Sequence, residues 1–188
     1  PVFVPGGINV TTTGALTVSE NVISEGSITL TTTETGGSDQ LTVNGGVTVQ
    51  SLARSISLTA ADNLTLNGTI DASVDAALRA FNDIDLQIGS SVRAGDEVFV
   101  TGDDGASNGI GSTVTLAGAL SATTAVQITG GADSDRLIVP VSIGSIANET
   151  TWNVTSENAG NIPGLGQFSN FEHLRGGQQD DRFAFAHA

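Results

Sequence analysis

The chain has 188 residues, with 20 acidic side chains against six arginines and no lysine, a formal charge of −14. That balance excludes the basic footprint of a nucleic-acid binder and opposes attachment to anionic lipid. The absence of cysteine excludes disulfides, thiolate metal sites and a cysteine nucleophile, and no apolar run reaches the roughly 18 residues of a membrane-spanning helix.

The first residues, Pro1-Val2-Phe3-Val4-Pro5-Gly6-Gly7, lack the charged segment and apolar core of a signal peptide. A repeat is already running at Ile8, so the chain reads as a processed or interior piece of something longer. The repeat is a three-beat hydrophobic pattern. Its beats are Ile8, Leu16, Val22; Ile28, Leu41, Val47; Ile56, Leu64, Ile70; Leu78, Ile84, Val92; Val98, Val114, Leu120; and Val126, Leu137, Ile143. Most beats open an apolar–x–apolar triplet such as Ile56-Ser57-Leu58. Such a triplet is a short strand with two side chains in and one out.

A recurring unit of 20 to 22 residues, longer where a loop is inserted, is the signature of a solenoid. The spacing from second to third beat is six residues in five of the six groups, whereas first to second varies from 6 to 16. Two corners are tight and one absorbs the length variation. The expected fold is therefore all-β: a right-handed parallel β-helix with about three short strands per rung. Regular rungs are expected over residues 1–145, and a Trp- and Phe-rich continuation or cap of the same solenoid over 146–188.

The outward residues follow from the same beats. One wall carries Asn9, Thr29, Ser57, Arg79, Phe99 and Gln127, a second Thr17, Thr42, Thr65, Asp85, Thr115 and Ile138, and a third Ile23, Thr48, Asp71, Arg93, Ser121 and Gly144. Threonine is a good exposed strand residue, and Arg, Asp and Phe interrupt its columns.

The variable corner is acidic. It carries Glu34, Asp39, Asp62, Asp83, Asp103, Asp104, Asp133 and Asp135. Two readings stand here: Asp, Asn and Gly make good turns, or stacked carboxylates share calcium. Gly130-Gly131-Ala132-Asp133-Ser134-Asp135-Arg136-Leu137-Ile138 and Gly176-Gly177-Gln178-Gln179-Asp180-Asp181-Arg182-Phe183-Ala184 fit much of the calcium-binding nonapeptide G-G-x-G-x-D-x-U-x. Both replace its fourth-position glycine, with Asp133 and Gln179, and they lie 46 residues apart. The candidate calcium ligands are Asp103, Asp104, Asp133, Asp135, Asp180 and Asp181; no other cofactor is expected.

Between the two Gly-Gly segments stand Trp152-Asn153-Val154, Asn158-Ala159-Gly160 and Phe168-Ser169-Asn170-Phe171-Glu172-His173-Leu174. Residues 130–185 resemble the linking module of giant repetitive bacterial exoproteins. Gly26-Ser27-Ile28-Thr29-Leu30 and Ala60-Ala61-Asp62-Asn63-Leu64-Thr65-Leu66 are similar to their filamentous-haemagglutinin-type β-strand repeats. The resemblance implies an exported surface or matrix protein, extracellular or on the bacterial cell surface. The partners it implies are other copies or neighbouring rungs meeting the solenoid ends, and a surface or carbohydrate receptor.

Catalysis is not expected. Asp83 with Asp85, or Asp103 with Asp104, are the carboxylate pairs a glycosidase would need. No lysine stands by as a lyase base, and His173 and His187 have no Ser or Cys constellation. A carbohydrate-active β-helix, lyase or hydrolase, is the alternative to a structural adhesion, matrix or filament module.

Overall fold

Short strands with alternating buried and outward side chains fill the computed structural model, which describes residues 2–33, 39–105, 109–140, 149–178 and 180–186. In chain order, β1 (Val2–Val4) precedes a first coil of β2 (Ile8–Thr12), β3 (Leu16–Val18) and β4 (Val22–Ser24). The second coil is β5 (Ile28–Thr32), β6 (Leu41–Val43) and β7 (Thr48–Ser51), and the third is β8 (Ile56–Ala60), β9 (Leu64–Leu66) and β10 (Thr69–Ala72). The fourth is β11 (Ala76–Ala80), β12 (Ile84–Leu86) and β13 (Ser91–Ala94), and the fifth is β14 (Glu97–Thr101), β15 (Thr113–Leu116) and β16 (Ala119–Ser121). The sixth coil begins with β17 (Ala125–Thr129) and β18 (Arg136–Ile138); its third beat, Ile143, lies outside the described residues. The terminal unit adds β19 (Glu149–Ser156), β20 (Ala159–Ile162), β21 (Gly166–Ser169), β22 (His173–Arg175) and β23 (Asp180–Phe185).

The strands assemble into three sheets. The first is β1-β4-β7-β10-β13-β16, the second is β2-β5-β8-β11-β14-β17-β21-β20-β19-β23, and the third is β22-β18-β15-β12-β9-β6-β3. Every pairing between successive coils is parallel. The chain is thus an all-β parallel solenoid with three strands per coil, as the apolar triplets foretell, and no helix occurs among the described residues.

Inside, like stacks on like. One interior column runs Val10, Leu30, Leu58, Leu78, Val100, Ile128 and Phe168, and another runs Leu16, Leu41, Leu64, Ile84, Val114, Leu137 and Leu174. Most of these side chains are fully buried, so aliphatic packing supplies the core that four per cent aromatics cannot. Ser24 and Ser51 also point inward, at a corner. The Ser24 hydroxyl donates to the Gly6 carbonyl and Ser51 Oγ donates to the Gly26 carbonyl at 2.9 Å, so neither buried hydroxyl is left without a partner.

The register corrects the beats in two places. Ala76, not Leu78, aligns with Ile56 and Val98, while Leu78 aligns with Leu58 and Val100. Alanine is too small to stand out in a hydrophobic pattern. Val49, not Val47, aligns with Val22 and Ile70; Val47 is a second buried residue packed in the corner before the strand. The outward columns shift accordingly. Arg79 stands in a column with Thr31, Thr59, Thr101 and Thr129, and Gln50 rather than Thr48 faces Asp71. Gln50 Nε2 donates to Asp71 Oδ2 at 2.7 Å.

The terminal unit departs from the coil plan. β21 and β22 continue two sheets in parallel on β17 and β18. β20 then runs antiparallel to both β21 and β19, and β23 pairs in parallel with β19. The second sheet therefore overhangs its neighbours. Trp152 on β19 is fully buried, stacked on Phe183 at 5.4 Å and edge-on to Phe168 at 6.0 Å.

Candidate functional site

The variable corner joins the second sheet to the third, and its insertions follow β5, β14 and β17. Glu34 lies outside the described residues. The other acids of this corner do come together coil on coil. Asp39, Asp62, Asp103 and Asp135 are buried, which for carboxylates calls for partners.

The partners are mostly backbone N–H groups of the neighbouring coil. Asp135, with no exposed surface, accepts from Ser112 N at 2.6 Å and Ser112 Oγ at 2.9 Å on Oδ1, and from Gly131 N at 2.5 Å on Oδ2. Asp103 Oδ2 accepts from Ala132 N at 3.2 Å and Asp133 N at 3.4 Å. Asp83 Oδ1 accepts from Thr113 N at 2.7 Å, and Asp133 Oδ2 accepts from Gly109 N at 2.9 Å. Asp62 Oδ1 takes a side-chain donor, Asn82 Nδ2, at 2.5 Å. A loop that leaves the sheet strips its N–H groups of ladder partners, and carboxylates from the next coil replace them with charge-assisted bonds.

Glycine makes this closeness attainable. A side chain on Gly131 would collide with the Asp103 carboxylate, and one on Gly130 would meet Asp135 Cβ at 2.8 Å. The second Gly-Gly segment repeats the arrangement: a side chain on Gly176 would collide with the carboxylate of Asp181, five residues on, as Asp135 is from Gly130. Asp181 Oδ1 accepts from Trp152 Nε1 at 3.4 Å. Asp180, next to it, is exposed.

Asp103 also adopts a left-handed backbone, φ 48°. Burial raises its carboxyl above the ordinary value of 3.8; the two N–H bonds pull it down, and the charges of Asp135 and Asp133 push it up again. Asp104, beside it, turns outward and pairs with Arg79 at 3.3 Å, with both side chains substantially exposed. An ion pair so wetted contributes little to stability.

Of the six candidate calcium ligands, Asp103, Asp133 and Asp135 therefore share one corner, Asp104 faces Arg79, and Asp180 and Asp181 belong to the terminal unit. Among the described residues no group of three or more His, Asp or Glu side chains is arranged to hold a metal ion. The carboxylates that meet do so around backbone donors.

One contributor has no place in the acidic pattern. Glu172 Oε2 accepts from Asp135 N at 2.7 Å, and its Oε1 accepts from Asn158 Nδ2 at 2.6 Å. His173 N donates to the Asp135 carbonyl at 3.1 Å, and its Nε2 lies 3.2 Å from Ser134 Oγ. These bonds tie the terminal unit to the corner. The Phe-x-Asn-Phe-Glu segment was the available signal, but nothing in its spacing names the amide that Glu172 reaches.

The carboxylate pairs considered for catalysis are engaged as well. Asp85 accepts from Gln87, and Asp83 is held by Thr113 N. A cleft of about 740 Å³ opens between the fifth and sixth coils and the β20–β21 hairpin, lined by Leu120, Val126, Ile162, Leu165, Asn161 and Gln167 among others. Among the described residues no titratable side chain lines it, so those residues supply it neither an acid nor a base. No family model, curated protein or solved structure matches the chain.

Proposed function

We propose that the chain is a structural, non-catalytic β-helical module of a secreted or cell-surface bacterial protein, serving in adhesion, extracellular matrix or filament assembly. The observation that carries this reading is the use made of the acids. Asp62, Asp83, Asp103, Asp133 and Asp135 spend carboxylate oxygens on neighbouring coils, so the chemistry of the variable corner goes into holding loops to the stack. A scaffold needs that; a catalytic site needs free acids and bases beside a cleft. The lack of cysteine and the strong negative charge suit a long, soluble module outside the reducing cytosol.

Electron microscopy of the native material is the test. Isolated rods fit a stalk, and long regular fibres fit a filament subunit. The described second sheet spans ten strands, roughly 43 Å at the usual interstrand spacing, so a single copy should image as a short rod. Cleavage of any polysaccharide by the purified chain, lost on replacing Asp83, Asp85, Asp103 and Asp104, would overturn the non-catalytic reading.

A further inference from the structure

We propose that Asn44 is a spontaneous modification site, converting to aspartate and isoaspartate, while the same dipeptide one coil later is protected by the fold. The corner between the third and first sheets carries Asn44-Gly45 in the second coil and Asn67-Gly68 in the third, stacked one above the other. The two share a sequence and a position in the coil and differ in surroundings.

Asn44, Gly45 and Gly46 are all exposed. They form a turn in which Val47 N donates to the Asn44 carbonyl at 3.2 Å, with Gly46 at φ 76°. Among the described residues the Asn44 side chain and the Gly45 amide make no hydrogen bond. The space where a Gly45 side chain would lie is open, its nearest neighbours being Asn67 atoms at 4.0 Å. The Gly45 nitrogen is therefore free to approach the Asn44 side-chain carbonyl carbon.

Asn67 is held. Its backbone N donates to the Val43 carbonyl at 2.9 Å, and its Nδ2 approaches the same oxygen at 3.4 Å. Gly68 is buried, and a side chain there would collide with the Val47 carbonyl and meet the Asn44 carbonyl at 2.6 Å and Val43 Cγ1 at 3.0 Å. The backbone there cannot swing into an attacking position without breaking the contacts between coils.

The chemistry balances without a cofactor. Hydroxide takes the Gly45 amide proton, the nitrogen attacks the Asn44 Cγ, and the Cγ–Nδ2 bond breaks. Nδ2 leaves as ammonia, taking a proton from water and regenerating hydroxide, and a succinimide remains. Water then opens the ring at either carbonyl, giving aspartate or isoaspartate. The net change is one water consumed and one ammonia released. Isoaspartate adds a backbone atom at a residue whose N donates to Val18 at 3.0 Å and whose carbonyl accepts from Val47. One of those bonds is lost, which loosens the junction of the first two coils and adds a negative charge.

The test is peptide mapping of the full chain after incubation in mildly alkaline buffer, folded and in urea, with fragmentation that separates aspartate from isoaspartate. In the folded chain Asn44 should convert at least about tenfold faster than Asn67, a difference of about 1.4 kcal/mol in barrier. In urea the two should react alike, and Gly45→Ala, which meets nothing closer than 4.0 Å, should slow Asn44 alone. Equal rates at Asn44 and Asn67 in the folded chain would overturn the proposal, as would a folded Asn44 that stays intact while the unfolded chain reacts.

Discussion

Replacing Asp135 by alanine separates a turn anchor from a calcium ligand. The side chain has no exposed surface and accepts three hydrogen bonds, two from Ser112 and one from Gly131. Truncation strands the buried Ser112 N–H and the half-buried Gly131 N–H. Each unsatisfied group costs about 1–3 kcal/mol, so the pair costs about 4 kcal/mol. For a chain of this length that lowers Tm by roughly 8–16 °C. Asp135→Asn keeps one acceptor for Ser112 but turns an NH₂ toward the Gly131 N–H, and should cost about half as much. Both effects should be the same with calcium or with chelator. Hydrogen exchange gives the local reading: the Ser112 and Gly131 amides should lose protection, while Thr113, held by Asp83, keeps it. If the alanine variant melts within about one degree of the parent, the carboxylate is not anchoring the corner. If the loss appears only when calcium is present, the carboxylate is a ligand and the argument from backbone donors fails.

Other outcomes follow from the same structure. Chelator should leave the Tm of the unmodified chain unchanged, and a shift would show a bound cation. Leu58→Ala removes a fully buried side chain from the middle of an interior column and should cost about 2–5 kcal/mol in denaturant melts. Just above pH 3.8, Asp103 takes up a proton on folding, because burial raises its folded carboxyl above that value. The folded state then binds more protons than the unfolded one between 3.8 and the raised value, so this residue's contribution falls as pH rises through that window. Asp103→Asn should therefore be more stable than the parent at neutral pH, with the gap closing as pH approaches 3.8; its φ of 48° also suits asparagine. A less stable Asn variant at neutral pH would refute the argument. Gly68→Ala forces a methyl onto the Val47 carbonyl and should destabilise strongly, whereas Gly45→Ala should be nearly silent in the same melts.

The coil architecture is legible from sequence because burial on one face of a strand writes a period of two, and three such triplets recur before each return. Where the buried residue is small the signal vanishes, as at Ala76, and where two apolar residues compete the pattern picks the wrong one, as with Val47 and Val49. The reversal at β20 is written in its turns and not in its strand: Ala159–Ile162 carries nothing that distinguishes an antiparallel partner from a parallel one, but Asn158 (φ 57°) and Pro163-Gly164 (Gly164 φ 85°) flank it as tight-turn residues. The acidic corner is legible because insertions collect there. What its carboxylates hold is not, since spacing brings Asp103 and Asp135 to neighbouring coils without saying that Gly131 will lie between them.

Strand-to-strand hydrogen bonds in this fold point along the long axis of the rod. Tension applied end to end therefore loads the junctions between coils in series, and every junction carries the whole force. Within the second sheet the junctions are not equal: five residue pairs join β14 to β17, but only three join β17 to β21. Another three join β18 to β22. Three pairs also join β19 to β20, with an irregular register, so the second sheet has two narrow links; the one between the sixth coil and the terminal unit is riveted by Glu172, which bridges Asp135 and Asn158 across it. Under load the terminal unit should yield first, at one of these two narrow links, a mechanical fuse that spares the coils behind it.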